Sequence, residues 1–291
     1  MFPRRAPRTS RPSLVVFWIV SGGALACLMG AASVAFAQRI WTGGGRFSRT
    51  PPKIATLGDF DGSFLYCRGL YRSRYREMGG QGWGTDYPGA DNNFSIRLAE
   101  LTTVPVRLNA DRQPNTVVVP LSEPLLFRCP MLFMEDVGTA EFTDADVAAL
   151  QRFFEKGGFL WVDDFWGSEA WRQWTTQIGR VLAPDRHPII DLPIEHPIMH
   201  TLYDVKSFLQ VSSIQFWYQS GGNVLERGRD SVPVHYRGIE DARGRLMVLM
   251  THNTDVADTW EREGESQEYF NLFSPAGYAI GVNVVLYALT H

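Results

Sequence analysis

Three apolar segments, each typical of a buried strand, are followed directly by polar side chains that could do chemistry. The segments are MLFM, FLWV and LMVLM, and the residues after them are Glu135, Asp136, Asp163, Asp164, His252, Asn253 and Asp255. Carboxylates and a histidine that meet at one sheet edge can act as general acid and base, or can hold a divalent cation. The structural alternative is that Asp164 or Ser168 caps the helix that begins near Ser168. Glu135 and Asp136 have a similar alternative, since they enter the loop before the next helix.

A glycine-rich loop from Gly79 to Phe94, GGQGWGTDYPGADNNF, is the most distinctive stretch of the sequence. Its glycines permit close backbone approach, and its aromatic, acidic and amide side chains offer stacking and hydrogen bonding. It lacks the G-x-x-x-x-G-K-[ST] order of a phosphate-binding loop. The alternative is a packed surface loop in which Asp91 or Asn92 caps the following helix. From this loop and the strand ends, the candidate ligand-binding residues are Trp83, Asp86, Tyr87, Asp91, Asn93, Glu135, Asp163, Asp164, His252 and Asn253.

Other catalytic and metal-binding patterns do not fit the sequence. A serine nucleophile would require G-x-S-x-G, which is not present. His196 and His200 are four residues apart, but Pro197 argues against a regular helix and no Glu stands between the histidines. The segment DVADTWE, from Asp255 to Glu261, is expected to be a solvated loop. We therefore predict no metal ligands and no cofactor, and the sequence assigns no catalytic residue.

The elements that would position these residues alternate along the chain between strands and helices. Strands are predicted in Ser63–Tyr71, NTVVVPL, PMLFMEDV, FLWVDD and GRLMVLMTHN, and helices in Asn92–Thr102, after the N-cap Thr143 up to Gly157, from Ser168 to about Ile178, and in GYAIGVNVVLYALTH. The first helix is expected to present Phe94, Ile96, Leu98 and Leu101 on its apolar face. Because the strands are apolar on consecutive residues, we expect a parallel sheet covered on both faces, a three-layer α/β domain. In such sheets ligands bind beyond the carboxyl ends of the strands, where the candidate residues lie.

The N-terminal segment has the order of an export signal. Four arginines, at positions 4, 5, 8 and 11, precede an uncharged run that ends in Ala35-Phe36-Ala37. This order predicts a signal peptide over residues 1–37, with an uncleaved membrane anchor as the alternative. Residues 38–53, rich in Gly, Arg and Pro, are predicted to be a linker, and residues 54–291 a single domain. The protein would then be exported, either periplasmic or anchored in the membrane and facing the periplasm.

Charge and cysteine content limit the class of partner. The formal net charge is -3, and loss of the arginine-rich segment would make the chain more acidic, which disfavours nucleic-acid binding. The cysteines beyond the signal segment are Cys67 and Cys129. They could form a disulfide in an oxidising compartment or be small core residues, and their spacing does not decide between these alternatives.

Five stretches, which together cover nearly everything after the linker, carry a family resemblance. They are GWGTDYPGADNNFSIRLAELT, LFRCPMLFMEDVG, FTDADVAALQRFFEKGGFLWVDDFWG, HPIMHTLYDV and GYAIGVNVVLYALTH. In these stretches the chain resembles a bacterial family, the domain of unknown function family 4159. The resemblance implies a flavodoxin-like sheet, similar in fold to the class I glutamine amidotransferases. In active amidotransferases a cysteine nucleophile occupies a tight turn after a strand, and here FLWVDDFWG places Asp163 or Asp164 there, so glutamine hydrolysis is not expected.

The resemblance also implies envelope protein partners, because family members occur beside envelope-associated ATPases and von Willebrand A type proteins. Together, these features predict a noncatalytic, exported module that binds an unidentified small ligand or an envelope protein. The alternative is a hydrolase that uses the carboxylates as general acid and base or as ligands of a divalent cation, with His252 as a helper. Membrane contact is expected only if the N-terminal segment stays uncleaved.

Overall fold

The computed structural model describes residues 50–77 and 79–291. The predicted signal peptide and most of the predicted linker therefore lie outside the described residues. At the end of that linker, the carbonyl of Lys53 accepts a hydrogen bond from the backbone N–H of Val118 at 2.8 Å. The segment next to residue 54 is thus attached to the fold.

The described part is a mixed α/β fold around a mostly parallel sheet. Its strands are β1 (Cys67–Leu70), β2 (Arg72–Ser73), β3 (Val117–Pro120), β4 (Leu132–Glu135), β5 (Ala140–Glu141), β6 (Leu160–Phe165), β7 (Ile189–Asp191), β8 (His235–Glu240) and β9 (Leu246–His252). The central sheet has seven strands in the order β3-β1-β4-β6-β9-β8-β7, and β2 pairs with β5 in a separate antiparallel sheet. Neighbouring strands from β3 to β9 in that order are all parallel.

The structure contains six α-helices among the described residues. They are α1 (Gly89–Leu101), α2 (Asp144–Glu155), α3 (Gly167–Val181), α4 (Ile214–Ser220), α5 (Asp258–Glu261) and α6 (Gln267–Thr290). Of these, α1, α2 and α3 lie close to the predicted ones, and α4 and α5 were not predicted. The predicted N-cap of α2 is confirmed, because the Thr143 side chain accepts the backbone N–H of Asp146. In α1, Phe94 and Leu98 are buried as expected, whereas Leu101 is 43% exposed because it stands at the very end of the helix.

Alternate residues of the parallel strands enter two separate apolar cores. Leu132 and Met134 of β4 belong to one core, which also contains side chains of α2 and α3. Phe133 belongs to the other core, together with side chains of α1, α5 and α6. Since successive side chains of a strand point to opposite faces, helices cover both faces of the sheet. This arrangement explains why the strands are apolar on consecutive residues.

The sheet is not parallel throughout, and the expectation of a wholly parallel sheet is wrong for its last two strands. β8 pairs antiparallel with β9, and β7 pairs antiparallel with β8. A tight turn joins β8 to β9, in which the backbone N–H of Asp241 donates to the carbonyl of Arg245 at 2.9 Å. A turn this short can only reverse the chain. β8 has only a weak strand pattern in the sequence, because polar His235 and Arg237 alternate with its buried residues.

The last helix, α6, starts earlier than predicted and is part of the core. It begins at Gln267 rather than Gly277, because the Ser266 side chain accepts the backbone N–H of Tyr269. Its length and apolarity would allow it to cross a membrane, but 56% of its most apolar window is buried within the fold. Asn283 donates from Nδ2 to the carbonyl of Met199 at 2.8 Å. These are properties of a core helix.

Cys67 and Cys129 form a disulfide, with their Cα atoms 6.0 Å apart. Cys67 is the first residue of β1, and Cys129 precedes β4, which pairs with β1. Both residues are buried. Of the two alternatives that the sequence left open, the structure contains the bridged form.

Candidate functional site

Asp164 lies at the junction of β6 and α3 with a left-handed backbone, at φ 50°. The pairing of β6 with β9 is irregular between Val162 and Phe165, so Asp163 and Asp164 both lie in a bulge. This conformation is uncommon for residues other than glycine and recurs at functional sites. A positive φ also occurs directly after the neighbouring parallel strands, at Asp136 (φ 50°) and Asn253 (φ 65°), and in the glycine-rich loop at Asp86 (φ 58°).

Asp163, although adjacent, is a buried residue whose oxygens both have partners. Its Oδ1 accepts from the hydroxyl of Thr251, and its Oδ2 accepts from the backbone N–H of Ala257 at 2.9 Å. Burial raises the pKa of Asp163 to about 7. The side chain thereby holds the chain after β9 against β6, and it is not available to a ligand without local opening.

His252 and Asn253 bind the backbone at the start of α3. His252 Nε2 lies 3.0 Å from the carbonyl oxygen of Gly167, and Asn253 Oδ1 accepts the Gly167 N–H at 2.8 Å. Burial lowers the pKa of His252 to about 4, so its imidazole is neutral near pH 7 and donates this bond. Its ring also packs against Phe165 and Trp171. In this arrangement His252 positions the junction rather than serving Asp164 as a proton carrier.

The first turn of α3 is capped from a distant loop. Asp230 Oδ2 accepts the backbone N–H of Ser168 at 2.9 Å and the Ser168 hydroxyl at 3.1 Å. Asp164 Oδ1 instead accepts the indole N–H of Trp166 at 2.8 Å. The structural alternative, in which Asp164 or Ser168 caps this helix, is therefore wrong. The capping residue could not be predicted from the sequence around the helix, because Asp230 is 62 residues from Ser168.

Arg68 in β1 is a central residue that was not among the candidates predicted from the sequence. Its guanidinium is completely buried and pairs with Asp91 and Glu135, whose side chains are equally buried. It also donates to the carbonyl of Thr85 at 2.8 Å, which ties the glycine-rich loop to the sheet. The signal was an arginine inside an otherwise apolar strand, because a buried charge requires a partner. Burial raises the pKa of Glu135 well above its usual range even though Arg68 opposes the shift.

Several candidate residues of the glycine-rich loop form contacts with other residues of the fold. The rings of Trp83 and Tyr87 pack together, and the Tyr87 hydroxyl accepts the backbone N–H of Lys53 at 3.0 Å. Asn93 is buried, and its Nδ2 donates to the carbonyl of Trp260 at 2.8 Å. Asp91 does not cap α1 but pairs with Arg68. The loop is thus packed, as its structural alternative predicted, although neither Asp91 nor Asn92 caps α1.

The glycines of this loop allow it to contact Asp136 closely. Asp136 Oδ2 accepts the backbone N–H of Gly82 at 2.7 Å, and a Cβ on Gly80 would lie 2.3 Å from the same oxygen. Burial, together with the charge of Glu77, raises the pKa of Asp136 to about 8. A side chain at position 80 would therefore push the loop away from the end of β4.

The segment from Asp255 to Glu261 is buried, so the expectation of a solvated loop is wrong. Asp255 is 2% exposed, Asp258 is 1% exposed and Glu261 is 6% exposed. Asp255 and Asp258 meet Asp86 of the glycine-rich loop, and one oxygen from each lies within 4.8 Å of the others. Burial raises the pKa of each of these three carboxyls well above its usual range, and the charges of neighbouring carboxylates add to the effect. Repulsion from the charge of Asp164 contributes to the raised pKa of Asp255, so this group interacts electrostatically with the junction of β6 and α3.

The chemistry that this edge can support is that of carboxyl groups. Within residues 50–77 and 79–291, Cys67 and Cys129 are bridged to each other and hold no free thiol. His196 and His200 have separate partners elsewhere: His196 Nδ1 accepts the N–H of Ile198, and His200 contacts Asp204. The edge can therefore bind cations or positively charged groups, and its protonated carboxyls can donate hydrogen bonds.

Comparisons with known proteins give one result. No curated protein matches the sequence. A family model described as "Domain of unknown function (DUF4159)" matches residues 71–289, a range that includes all ten candidate residues and the group at Asp86, Asp255 and Asp258. This match confirms the resemblance inferred from the sequence motifs and covers most of the chain. The chain belongs to the family of the domain of unknown function DUF4159.

Proposed function

We propose that this protein is an exported, noncatalytic module of the cell envelope that binds a ligand or partner at the carboxyl edge of its sheet. The observation that carries the proposal is Asp164, an aspartate in left-handed conformation near the end of a parallel strand that leads into a helix. A flavodoxin-like sheet of the class I amidotransferase type would have its nucleophile at this point. An aspartate hydrogen bonded to Trp166 cannot replace a thiol in glutamine hydrolysis.

The surroundings of Asp164 agree with binding rather than with nucleophilic catalysis. The neighbouring imidazole of His252 is neutral and donates to the carbonyl of Gly167. Burial, with Coulomb repulsion from Glu226 and Asp136, raises the pKa of Asp164 well above its usual range. Such an edge favours a cationic ligand or an arginine- or lysine-bearing partner, which would compensate the carboxylates.

Export is supported by two independent features. The arginines followed by an uncharged run and by Ala35-Phe36-Ala37 have the order of a signal peptide. The Cys67–Cys129 disulfide is of a kind that persists in oxidising compartments and is rare in the cytosol. Both features agree with a periplasmic domain or with one anchored on the periplasmic side.

A carboxylate-dependent hydrolase is the second candidate, and the raised pKa of Asp164 is the observation that favours it. A carboxyl whose pKa is raised by burial holds its proton more strongly and can serve as a general acid. The two candidates differ in turnover, since a binding module hydrolyses nothing. Asp164→Asn would abolish hydrolysis in the second case.

The site is tested by Asp164→Asn, which keeps the shape of the side chain and tolerates the left-handed backbone. Retention of the envelope partner by the immobilised protein is expected to fall about tenfold or more, as for loss of one hot-spot side chain. The measurement is quantitative pull-down from envelope extract, beside a screen for ester, amide and phosphate hydrolysis. The control is Asp111→Asn at an exposed position. Equal retention by both variants would refute the site, and turnover lost in Asp164→Asn would establish the hydrolase instead.

Export is tested by cell fractionation with N-terminal sequencing. We expect the protein in the periplasmic or membrane fraction, starting at Gln38 if the signal is cleaved at Ala37, or full length and membrane-bound if it is an anchor. Alkylation of the isolated protein under denaturing conditions should leave Cys67 and Cys129 unmodified until a reductant is added. A full-length protein in the cytoplasm with free thiols would overturn the envelope assignment.

A further inference from the structure

Three aspartates far apart in the sequence meet at the carboxyl edge of the sheet. Asp86 belongs to the glycine-rich loop before α1, Asp255 follows β9, and Asp258 is the first residue of α5. One carboxylate oxygen from each lies within 4.8 Å of the other two. Three like charges at this separation in a buried place repel one another strongly unless protons or a cation compensate them.

Unsatisfied oxygens beside this group are the second observation. Asp86 Oδ2 is inaccessible to solvent and has no hydrogen-bond partner among the described residues. The same holds for Oε1 of Glu135, a residue that is completely buried and whose charge acts on Asp86 more strongly than that of any other carboxylate. A buried carboxylate oxygen without a donor costs free energy, which a bound ion would offset.

The remaining oxygens of Asp255 and Asp258 hold the group in place. Asp255 Oδ1 accepts the backbone N–H of Asp258 at 2.8 Å. Asp258 Oδ2 accepts the backbone N–H of Ile214 at 2.6 Å and the hydroxyl of Tyr269 at 3.1 Å. One oxygen of each side chain is thus used for orientation, as is usual around metal-binding carboxylates. The second oxygen of Asp255 can face a ligand, and that of Asp258 lies 3.7 Å from Arg262 Nε.

The nearby arginines are shared with other carboxylates. Arg262 Nε lies 3.7 Å from Asp258 Oδ1 but only 2.7 Å from Glu261 Oε2, and its NH1 donates to Glu265. Arg68 pairs with Asp91 and with Glu135. Negative charge therefore remains in excess around the three aspartates, and Asp164 adds to it.

We propose that Asp86, Asp255 and Asp258 form a binding site for a hard divalent cation, with Ca²⁺ as the preferred ion. Carboxylate oxygens without histidine or thiolate are the ligand set of Ca²⁺ and Mg²⁺ rather than of zinc. Ca²⁺ takes about 6–8 oxygen ligands in flexible geometry, whereas Mg²⁺ usually keeps several waters and is bound by only one or two carboxylates. Three carboxylates whose oxygens lie within 4.8 Å of one another therefore suit Ca²⁺ better than Mg²⁺.

The inference deepens the proposed function, and rests on it, because it names a ligand of the same sheet edge. The cation would join the glycine-rich loop to the segment after β9. It would itself be a positively charged ligand of the kind that the proposed function assigns to this edge.

The test is titration of the chelator-treated full-length protein with CaCl₂ and with MgCl₂, followed by isothermal calorimetry. We expect stoichiometric Ca²⁺ binding with a Kd of about 10⁻⁴ M or tighter, and weaker Mg²⁺ binding. Asp86→Asn and Asp255→Asn should weaken Ca²⁺ binding at least about tenfold, and the exposed control Asp111→Asn should leave it unchanged. No binding to the wild-type protein at millimolar Ca²⁺, or equal binding to all variants, would refute the site.

Thermal unfolding separates a cation site from a merely structural cluster. Without Ca²⁺, Asp86→Asn is expected to raise the Tm, because it removes one of the repelling charges. At the same Ca²⁺ concentration, the Tm of the wild type should rise more than that of Asp86→Asn. A variant that is simply misfolded would have a lower Tm in both conditions. If Asp86→Asn responds to Ca²⁺ as the wild type does, the assignment of Asp86 is wrong.

The same preparations distinguish failure of this inference from failure of the proposed function. If envelope partners are retained equally with and without chelator and calorimetry shows no Ca²⁺ binding, the cation site is refuted while the binding module stands. If Ca²⁺ binds as expected but retention is the same for the wild type and Asp164→Asn, the cation site stands and the proposed partner site is refuted.

Discussion

Arg68→Met is expected to lower the free energy of unfolding by about 3–5 kcal/mol, the cost of leaving buried charges without their partner. The substitution keeps the volume of the side chain in β1 but removes its pairs with Asp91 and Glu135. It also removes the hydrogen bond that holds the carbonyl of Thr85 in the glycine-rich loop. Chemical unfolding followed by circular dichroism measures the loss.

The pH dependence of this variant has a defined sign. Burial already raises the pKa of Glu135, and loss of Arg68 removes the charge that opposes this shift. An acid with a higher pKa in the folded protein binds more protons when folded, so stability falls as the pH rises above the pKa of the unfolded chain. The loss of unfolding free energy in Arg68→Met, relative to the wild type, should therefore be larger at pH 8 than at pH 5.

Two further variants make the result specific. Arg172→Met removes an exposed arginine, 3.5 Å from the exposed Glu169, and should change the stability by less than about 0.5 kcal/mol. Adding Asp91→Asn and Glu135→Gln to Arg68→Met removes the unpaired charges and should recover part of the loss. If Arg68→Met were as stable as Arg172→Met, the buried network would not contribute to the fold.

Removal of the disulfide in the double variant Cys67→Ala, Cys129→Ala is expected to lower the free energy of unfolding by about 4 kcal/mol. The bridged residues are 62 positions apart, and a cross-link over that length restricts the unfolded chain strongly in the loop-entropy model. Alanine replaces both cysteines without leaving a thiol. Equilibrium unfolding of the oxidised wild type and of the double variant gives the difference.

The reductant supplies the matched control for this prediction. Dithiothreitol should destabilise the wild type by a similar amount and should leave the double variant unchanged. Each protein is compared with itself, with and without dithiothreitol. Any effect of the alanine substitutions on packing therefore cancels. Equal stability of the oxidised wild type and of the double variant would contradict a stabilising role for the bridge.

Local patterns in the sequence predicted the individual elements well. Thr143 followed by Asp146, together with Gly157, marks both ends of α2, because capping depends on residues within one turn. The apolar run before Asp163 indicated a strand buried on both faces, as β6 is. The polar alternation of β8 gave a weaker signal, and the antiparallel edge was missed.

The sequence by itself determined that the fold is α/β and that acidic residues follow its central strands, because strand and helix preferences depend on neighbouring residues. Only the tertiary structure decided how those residues are used. The strand order brings β6 between β4 and β9, so that Asp163 bonds to Thr251 and Ala257 while Asp164 stays at the junction with α3. It also joins Asp86 to Asp255 and Asp258, which no local pattern relates. The physical reason is that burial, charge pairing and the pKa of a carboxyl depend on neighbours in space, and these come from distant parts of the chain.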